Sequence, residues 1–247
     1  MSGPLIKLCG LRDTGDMRAA VRAGADLVGI VLVPGARRFV PTPTAIAMAV
    51  AARELAAELG RFAPEVVGVV GGDIRPETIV RLTDAIGLDR VQLVGSEEFA
   101  LAAADALGAR PIVRAVAAHE DADVLDLERT CVMWEARGAR VLIDAGAVNG
   151  IAGGTGTRVP GALVARLVPG TQRGLAGGLD PDNIGGIVRA HRPALVDVSS
   201  GIERDGAKDP ERMRSFIAAA RAALLDAVPT AERALDDTSH AARTPLP

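Results

Sequence analysis

The sequence predicts an α/β protein of one domain, a closed (β/α)8 barrel of the TIM-barrel type, on two observations. Short β-branched runs alternate strictly with longer Ala/Leu/Arg/Glu segments of helical period, and there are eight of each. Late in the chain, within Arg173–Asp209, two successive strand ends run into small-residue loops, Gly177-Gly178 and Ser199-Ser200-Gly201. Such loops leave backbone N–H groups exposed, and their place late in the alternation is where a barrel of this kind grips phosphate. An open doubly wound sheet also alternates strands with helices, but it gives no reason for a count of eight.

The first strand, Leu5–Cys9, alternates so that Lys7 and Cys9 share one face and Ile6 and Leu8 the other. The apolar pair suits a helix layer, which sends Lys7 and Cys9 into the barrel. Strands are then expected at Leu27–Val33, Val66–Val70, Arg90–Val94, Pro111–Val116, Val141–Asp144, Gly174–Ala176 and Leu195–Ser199. The amphipathic segments between and after them are Thr14–Ala23, Thr44–Leu59, Pro76–Ile86, Glu97–Leu107, Ala122–Ala136, Gly161–Leu167, Pro181–Ala190 and Asp209–Leu225. Thr44 and Thr78 offer local caps, while Asp180-Pro181 and Asp209-Pro210 each set an N-cap before a proline at the first helical position. The barrel domain is thus placed at residues 1–225. Residues 226–247 are polar, carry prolines and keep no sustained period, and are expected to form a mobile tail, with a short helix around Ala231–Leu235 as its one candidate element.

The composition narrows the function classes. A chain of 247 residues, 49% hydrophobic and 24% charged with net charge −3, is ordinary for a globular protein. The near-neutral balance presents no basic field for nucleic acid or an anionic membrane. No apolar run approaches the roughly 18–20 residues that span a bilayer. The first residues pass directly into strand-like sequence rather than a signal peptide, so a cytoplasmic location is expected. Two cysteines make neither a disulfide framework nor a Cys-rich zinc site, and the three histidines, His119, His191 and His240, lack metal-ligand spacing, so no metal is expected. Lysine occurs only at Lys7 and Lys208 among many arginines, which marks two positions that suit a compact ammonium.

Catalytic residues of a barrel lie at the C-terminal ends of strands or in the loops after them. Cys9 ends the first strand, and an inward Lys7 needs a carboxylate partner while lowering the pKa of the thiol. Asp144 ends the sixth strand and precedes a small-residue loop, Gly153-Gly154-Thr155-Gly156. Cys9 and Asp144 on one rim offer two proton-transfer groups of differing pKa, as an acid–base isomerisation requires. Asp197 in the eighth strand is a candidate partner for Lys7 or for a substrate hydroxyl. Arg37 and Arg38 come after the second strand, where a guanidinium can hold a carboxylate through two bonds. Gln92 in the fourth strand is either an inward polar contact or a packing residue. Cys131 and Trp134, three apart on a helix, read as packing.

These motifs together resemble the phosphoribosylanthranilate isomerase family of tryptophan biosynthesis. The resemblance is carried by KLCG at Lys7–Gly10, GADLVGIVLV at Gly24–Val33, RFV at Arg38–Val40, VQLVG at Val91–Gly95 and VLID at Val141–Asp144. It continues with GGTG at Gly153–Gly156, LAGGLDPDNI at Leu175–Ile184 and VDVSSGIERDGAKD at Val196–Asp209. The resemblance implies a cofactor-free Amadori rearrangement of N-(5'-phosphoribosyl)anthranilate, with Asp144 as acid and Cys9 as base. By the same match, Arg38 meets the anthranilate carboxylate. Gly154–Gly156, Gly177, Gly178 and Ser199–Gly201 match the phosphate region. From the residues alone, Lys7, Gln92 and Asp197 are further candidates for the substrate site.

The chain departs from the family at three places. Val94 stands where the family usually has His, Thr157-Arg158-Val159-Pro160 replaces an aromatic-Asp-Trp run, and Arg37 replaces the Pro before the arginine. These departures motivate a second reading, the same chemistry on a related phosphoribosyl aryl amine in a specialised pathway. A third reading is a non-catalytic barrel that binds a sugar phosphate. A dinucleotide dehydrogenase is disfavoured, because no G-x-G-x-x-G comes after the first strand. The partner expected is therefore a small phosphorylated sugar–arylamine. An aromatic content of 2% supplies no obvious interface anchors, and the oligomeric state stays open between monomer and homodimer.

Overall fold

In a computed structural model, residues 3–72, 74–146 and 157–225 are described. The barrel strands are β1 (Leu5–Leu11), β2 (Leu27–Val31), β3 (Glu65–Val70), β4 (Arg90–Leu93), β5 (Ile112–Ala117), β6 (Arg140–Asp144), β7 (Gly174–Leu175) and β8 (Leu195–Val198). They pair in parallel in chain order, and β1 closes on β8 with Lys7 opposite Asp197. The helices are α1 (Thr14–Ala23), α2 (Thr42–Glu58), α3 (Pro76–Ile86), α4 (Glu97–Leu107), α5 (Val124–Ala136), α6 (Gly161–Leu167), α7 (Ile184–His191) and α8 (Pro210–Leu225). After β8 come a short 3-10 turn, Ser200–Ile202, and a two-stranded hairpin of β9 (Glu203–Arg204) and β10 (Ala207–Lys208). The expected C-terminal tail, residues 226–247, lies outside the described residues.

The period-2 pattern of β1 divides as its side chains demand. Ile6 and Leu8 are buried in the layer between strands and helices, which also takes Met17, Met48, Ile79, Trp134 and Phe216. Truncating a fully buried Leu or Ile there to Ala costs roughly 2–5 kcal/mol. A second cluster, Leu27, Val67, Val113, Leu142, Ala176 and Leu195, fills the barrel interior. Lys7, Gln92 and Asp197 join it as buried polar residues, so the interior changes character towards the mouth.

Several helix starts differ from the sequence expectation. Thr44 and Thr78 cap neither helix: α2 begins earlier than expected, after Pro41, and α3 begins at Pro76 as expected, after Arg75, both with no side-chain cap. A proline in the first turn, Pro43 or Pro76, fixes a helical φ where its missing N–H costs nothing, and so replaces a cap. Asp209 caps α8 as expected, accepting the N–H groups of Glu211 and Arg212. Asp180 accepts from Asp182 and Asn183, but those residues form a turn, and regular α7 begins only at Ile184. β1 runs two residues past Cys9 by an irregularity between Leu8 and Leu11, where Gly10 has φ 70°.

Candidate active site

The C-terminal ends of the strands open on a cavity of about 530 Å³. Strand residues Cys9, Val31, Val69, Gln92, Ala115, Ala117, Asp144 and Asp197 line it, together with loop residues Arg38, Val94, His119, Gly146, Gly177, Gly178, Ser199 and Ser200. The lining therefore combines apolar valines and alanines with charged and hydroxyl groups.

Beneath Cys9 lies an ion pair. Lys7 is fully buried and its Nζ donates to Asp197 Oδ2 at 2.8 Å. Adjacent strands in register place the two side chains side by side on the inner face, so the carboxylate that an inward lysine needs comes from β8. Burial acts to lower the pKa of Lys7, but Asp197 and then Cys9 outweigh it and hold the ammonium charged. Lys7 acts to lower the Cys9 pKa as expected, but the net shift is upward. Burial of the thiol is the largest influence and raises its pKa, with Lys7 offsetting only part of it and Asp197 adding to the rise. The lysine thus limits the shift without reversing it.

Asp144 is the second titratable group of the mouth. Burial, then repulsion from Asp197, pushes its carboxyl up to about 6, against the backbone N–H groups of Ala145 and Gly146 and the charge of Lys7. A carboxyl near neutrality can deliver a proton at physiological pH, which an ordinary surface aspartate cannot. Two acceptors in the cavity, Gln92 Oε1 and Asp197 Oδ1, are buried and have no partner among the described residues. Buried unpaired acceptors are costly, and a ligand rich in hydroxyl donors satisfies them.

Arg38 is 7% exposed and its Nε donates to Glu203 Oε1 at 2.7 Å. Arg37 donates to the other oxygen of Glu203 at 2.7 Å from a half-exposed position. Lys208 Nζ reaches Glu203 Oε1 at 3.1 Å and the carbonyl oxygen of Ser199 at 2.8 Å, and Ser199 Oγ donates to the carbonyl of Cys9 at 3.1 Å. Burial lowers the Lys208 pKa to about 8, Glu203 opposing and Arg38 assisting the fall.

The structure places the sequence candidates unequally. Cys9, Arg38, Gln92, Asp144, Gly177, Gly178, Asp197, Ser199 and Ser200 share one cavity. Lys7 lies below it, reaching the site through Asp197, and Gly201 is not part of the lining. Gly154, Thr155 and Gly156 fall outside the described residues. At the two small-residue loops, Gly177 and Gly178 have φ of 87° and 59°, a left-handed conformation that a side chain would strain. Ser199 leads into the short 3-10 turn rather than a full helix. Sequence reasoning missed Glu203, which no periodicity marks, and set aside His119, which reaches the rim from the loop after β5. Trp134 is packed as expected, its Nε1 donating to Glu97 at 2.6 Å, and Cys131 is buried beside it on α5.

A family model described as N-(5'-phosphoribosyl)anthranilate isomerase matches residues 6–219. The chain belongs to this family. Relatives of that name include one from Roseiflexus castenholzii, 39% identical over 89% of this chain and 99% of its own length. Another, from Eremothecium gossypii, is 37% identical over 85% of this chain and 95% of its own. Among solved structures, the phosphoribosyl anthranilate isomerase of Thermus thermophilus is similar with a TM-score of 0.67 and 29% identity, over 88% of this chain and 98% of that one. A member in complex with reduced 1-(o-carboxyphenylamino)-1-deoxyribulose 5-phosphate matches with a TM-score of 0.66 and 27% identity, over 89% of this chain and 99% of that one. Membership makes the chain an isomerase of the aldose–ketose type, and the closed barrel is the family's fold. Among the described residues no helix is long and apolar enough to cross a membrane, and no group of three or more His, Cys, Asp or Glu could hold a metal ion.

Proposed function

We propose that the protein converts N-(5'-phosphoribosyl)anthranilate to 1-(2-carboxyphenylamino)-1-deoxyribulose 5-phosphate, a step of tryptophan biosynthesis, in the cytoplasm and with its own side chains as the only catalysts. The observation that carries this is Cys9 and Asp144 facing one cavity, with the carboxyl of Asp144 raised to about 6. Protonated Asp144 gives its proton to the furanose ring oxygen. The C1–O bond breaks, and the nitrogen lone pair forms the C1=N bond of a Schiff base. The Cys9 thiolate then takes the C2 proton, the C–H electrons form C1=C2, and the C=N pair returns to nitrogen. The resulting enolamine loses its hydroxyl proton and gains one at C1, giving the ketone with no net change in atoms.

The surroundings support each part of the substrate. Gln92 Oε1 and Asp197 Oδ1, acceptors without a partner among the described residues, face the ribosyl hydroxyls. Gly177, Gly178, Ser199 and Ser200 take the phosphate at loops in the position barrels use for it. Val31, Val69, Val94, Ala115 and Ala117 pack against the aryl ring, with Arg38 beside them for its carboxylate. Freshly prepared N-(5'-phosphoribosyl)anthranilate mixed with the protein should lose its fluorescence at an enzyme-dependent rate. No turnover by folded protein overturns the reading.

Val94 favours a second reading. Its apolar side chain on the aryl side would accept a ring substituent that a polar residue would repel, so a related phosphoribosyl aryl amine is the alternative substrate. A panel of substituted anthranilates decides between them, and a clear preference for unsubstituted anthranilate excludes the alternative.

A further inference from the structure

The loop hairpin β9–β10 lies outside the proton-transfer chemistry, yet it brings a buried carboxylate to the rim of the cavity. Glu203 is 8% exposed and accepts from three cations: Arg38 Nε at 2.7 Å, Arg37 Nη2 at 2.7 Å and Lys208 Nζ at 3.1 Å. Burial works to raise its pKa, but the hydrogen bond from Arg38, the charge of Lys208 and the bond from Arg37 carry it down to about 2, so the carboxylate stays ionised. One anion against three cations leaves an excess of positive charge at this edge of the site.

The way Glu203 engages Arg38 matters. It occupies only Nε, while Nη2 is buried with no partner among the described residues. A guanidinium presents two hydrogen-bonding edges, and taking Nε leaves the end-on edge formed by the two Nη groups. That edge fits the two oxygens of a carboxylate, and a buried N–H without an acceptor is costly until one arrives. Arg38 lines the cavity, which puts its guanidinium at the edge of the space a ligand would fill. Without Glu203, Arg37, Arg38 and Lys208 would repel one another, and the flexible stem of Arg38 would have nothing to fix its direction.

We propose that Glu203 is a positioning residue for substrate choice: by holding Arg38 through Nε, it keeps the guanidinium's free edge set for an arylamine that carries a carboxylate. This role deepens the isomerase reading and rests on it. Glu203 touches no reacting atom, so its effect falls on binding of the carboxylated ring and not on the proton transfers.

The test compares two substrates, N-(5'-phosphoribosyl)anthranilate and N-(5'-phosphoribosyl)aniline, the latter made from ribose 5-phosphate and aniline and lacking the carboxylate. Glu203→Gln should raise KM for the anthranilate substrate by about tenfold or more, leave kcat within about threefold, and leave KM for the aniline substrate unchanged. Glu203→Asp retains the charge that the three cations need to fold around and should show the same selectivity at smaller size. Equal effects on both substrates would make Glu203 a merely structural residue and overturn the inference, as would no effect on either. If folded wild-type protein turns over neither substrate, the isomerase reading itself falls, an outcome no Glu203 variant can produce.

Discussion

Burial pushes both groups proposed for proton transfer upward, Asp144 to about 6 and the Cys9 thiol above its already higher ordinary value. The form that the proposed mechanism needs pairs a protonated Asp144 with an ionised Cys9, which is a minority species at every pH between the two pKa values. Below about 6, Asp144 is protonated and the rate tracks the thiolate, rising with pH. Between the pKa values the thiolate fraction grows as the protonated acid shrinks, and the rate is level. Above the Cys9 pKa the thiolate is complete and loss of the Asp144 proton makes the rate fall. The kcat/KM profile should therefore rise to a plateau that begins near 6 and declines only above the ordinary thiol range. A maximum confined to a narrow interval below pH 7 would contradict this assignment. Lys7 and Cys9 were legible as an inward pair from alternation alone. The direction of the thiol's shift was not, because period-2 spacing identifies a face without measuring how deeply it is buried.

At the scale of elements, the loops after β5 and β6 are fitted to each other at Gly146. Its φ is 78°, and a Cβ there would lie 2.6 Å from His119 Cε1 and 2.8 Å from Ala117 Cβ. Gly146→Ala must shift the loop that donates to Asp144, at a strain cost of about 1–3 kcal/mol. Those N–H bonds lower the Asp144 pKa, so weakening them should move the onset of the plateau in the kcat/KM profile to higher pH, with secondary structure preserved by circular dichroism. An unmoved plateau onset would show that the loop does not set the Asp144 pKa. Element boundaries were readable where a side chain acts locally, as at Asp209. Proline alone starts two helices: Pro76 marked the start of α3 correctly, whereas α2 begins at Thr42, two residues before the expected Thr44, since no cap signals its first residue.

Across the whole molecule, closure of the barrel brings the first and sixth strands to one mouth, and with them Cys9 and Asp144. The sequence carried the count of strands, the inward face of β1 and the strand-end residues, because each is a local pattern repeated eight times. It did not carry Glu203, whose bonds to Arg37 and Arg38 join the second loop to the last, nor the Gln92 acceptor left open in the interior. Such contacts arise from closure rather than from spacing. The opposite ends of the strands hold ion pairs of a different kind, Arg173 with Glu128 and Glu135 and Arg90 with Glu65, away from the cavity. That end supports the barrel and the mouth works.

The pairing of Cys9 and Asp144 across that mouth is tested most directly by turnover of N-(5'-phosphoribosyl)anthranilate by Cys9→Ala and Asp144→Asn, measured beside binding of the reduced product analogue. The account predicts that each variant loses roughly a hundredfold or more in kcat while still binding the analogue. Either variant, folded and retaining kcat within about threefold of the unaltered protein, would contradict it.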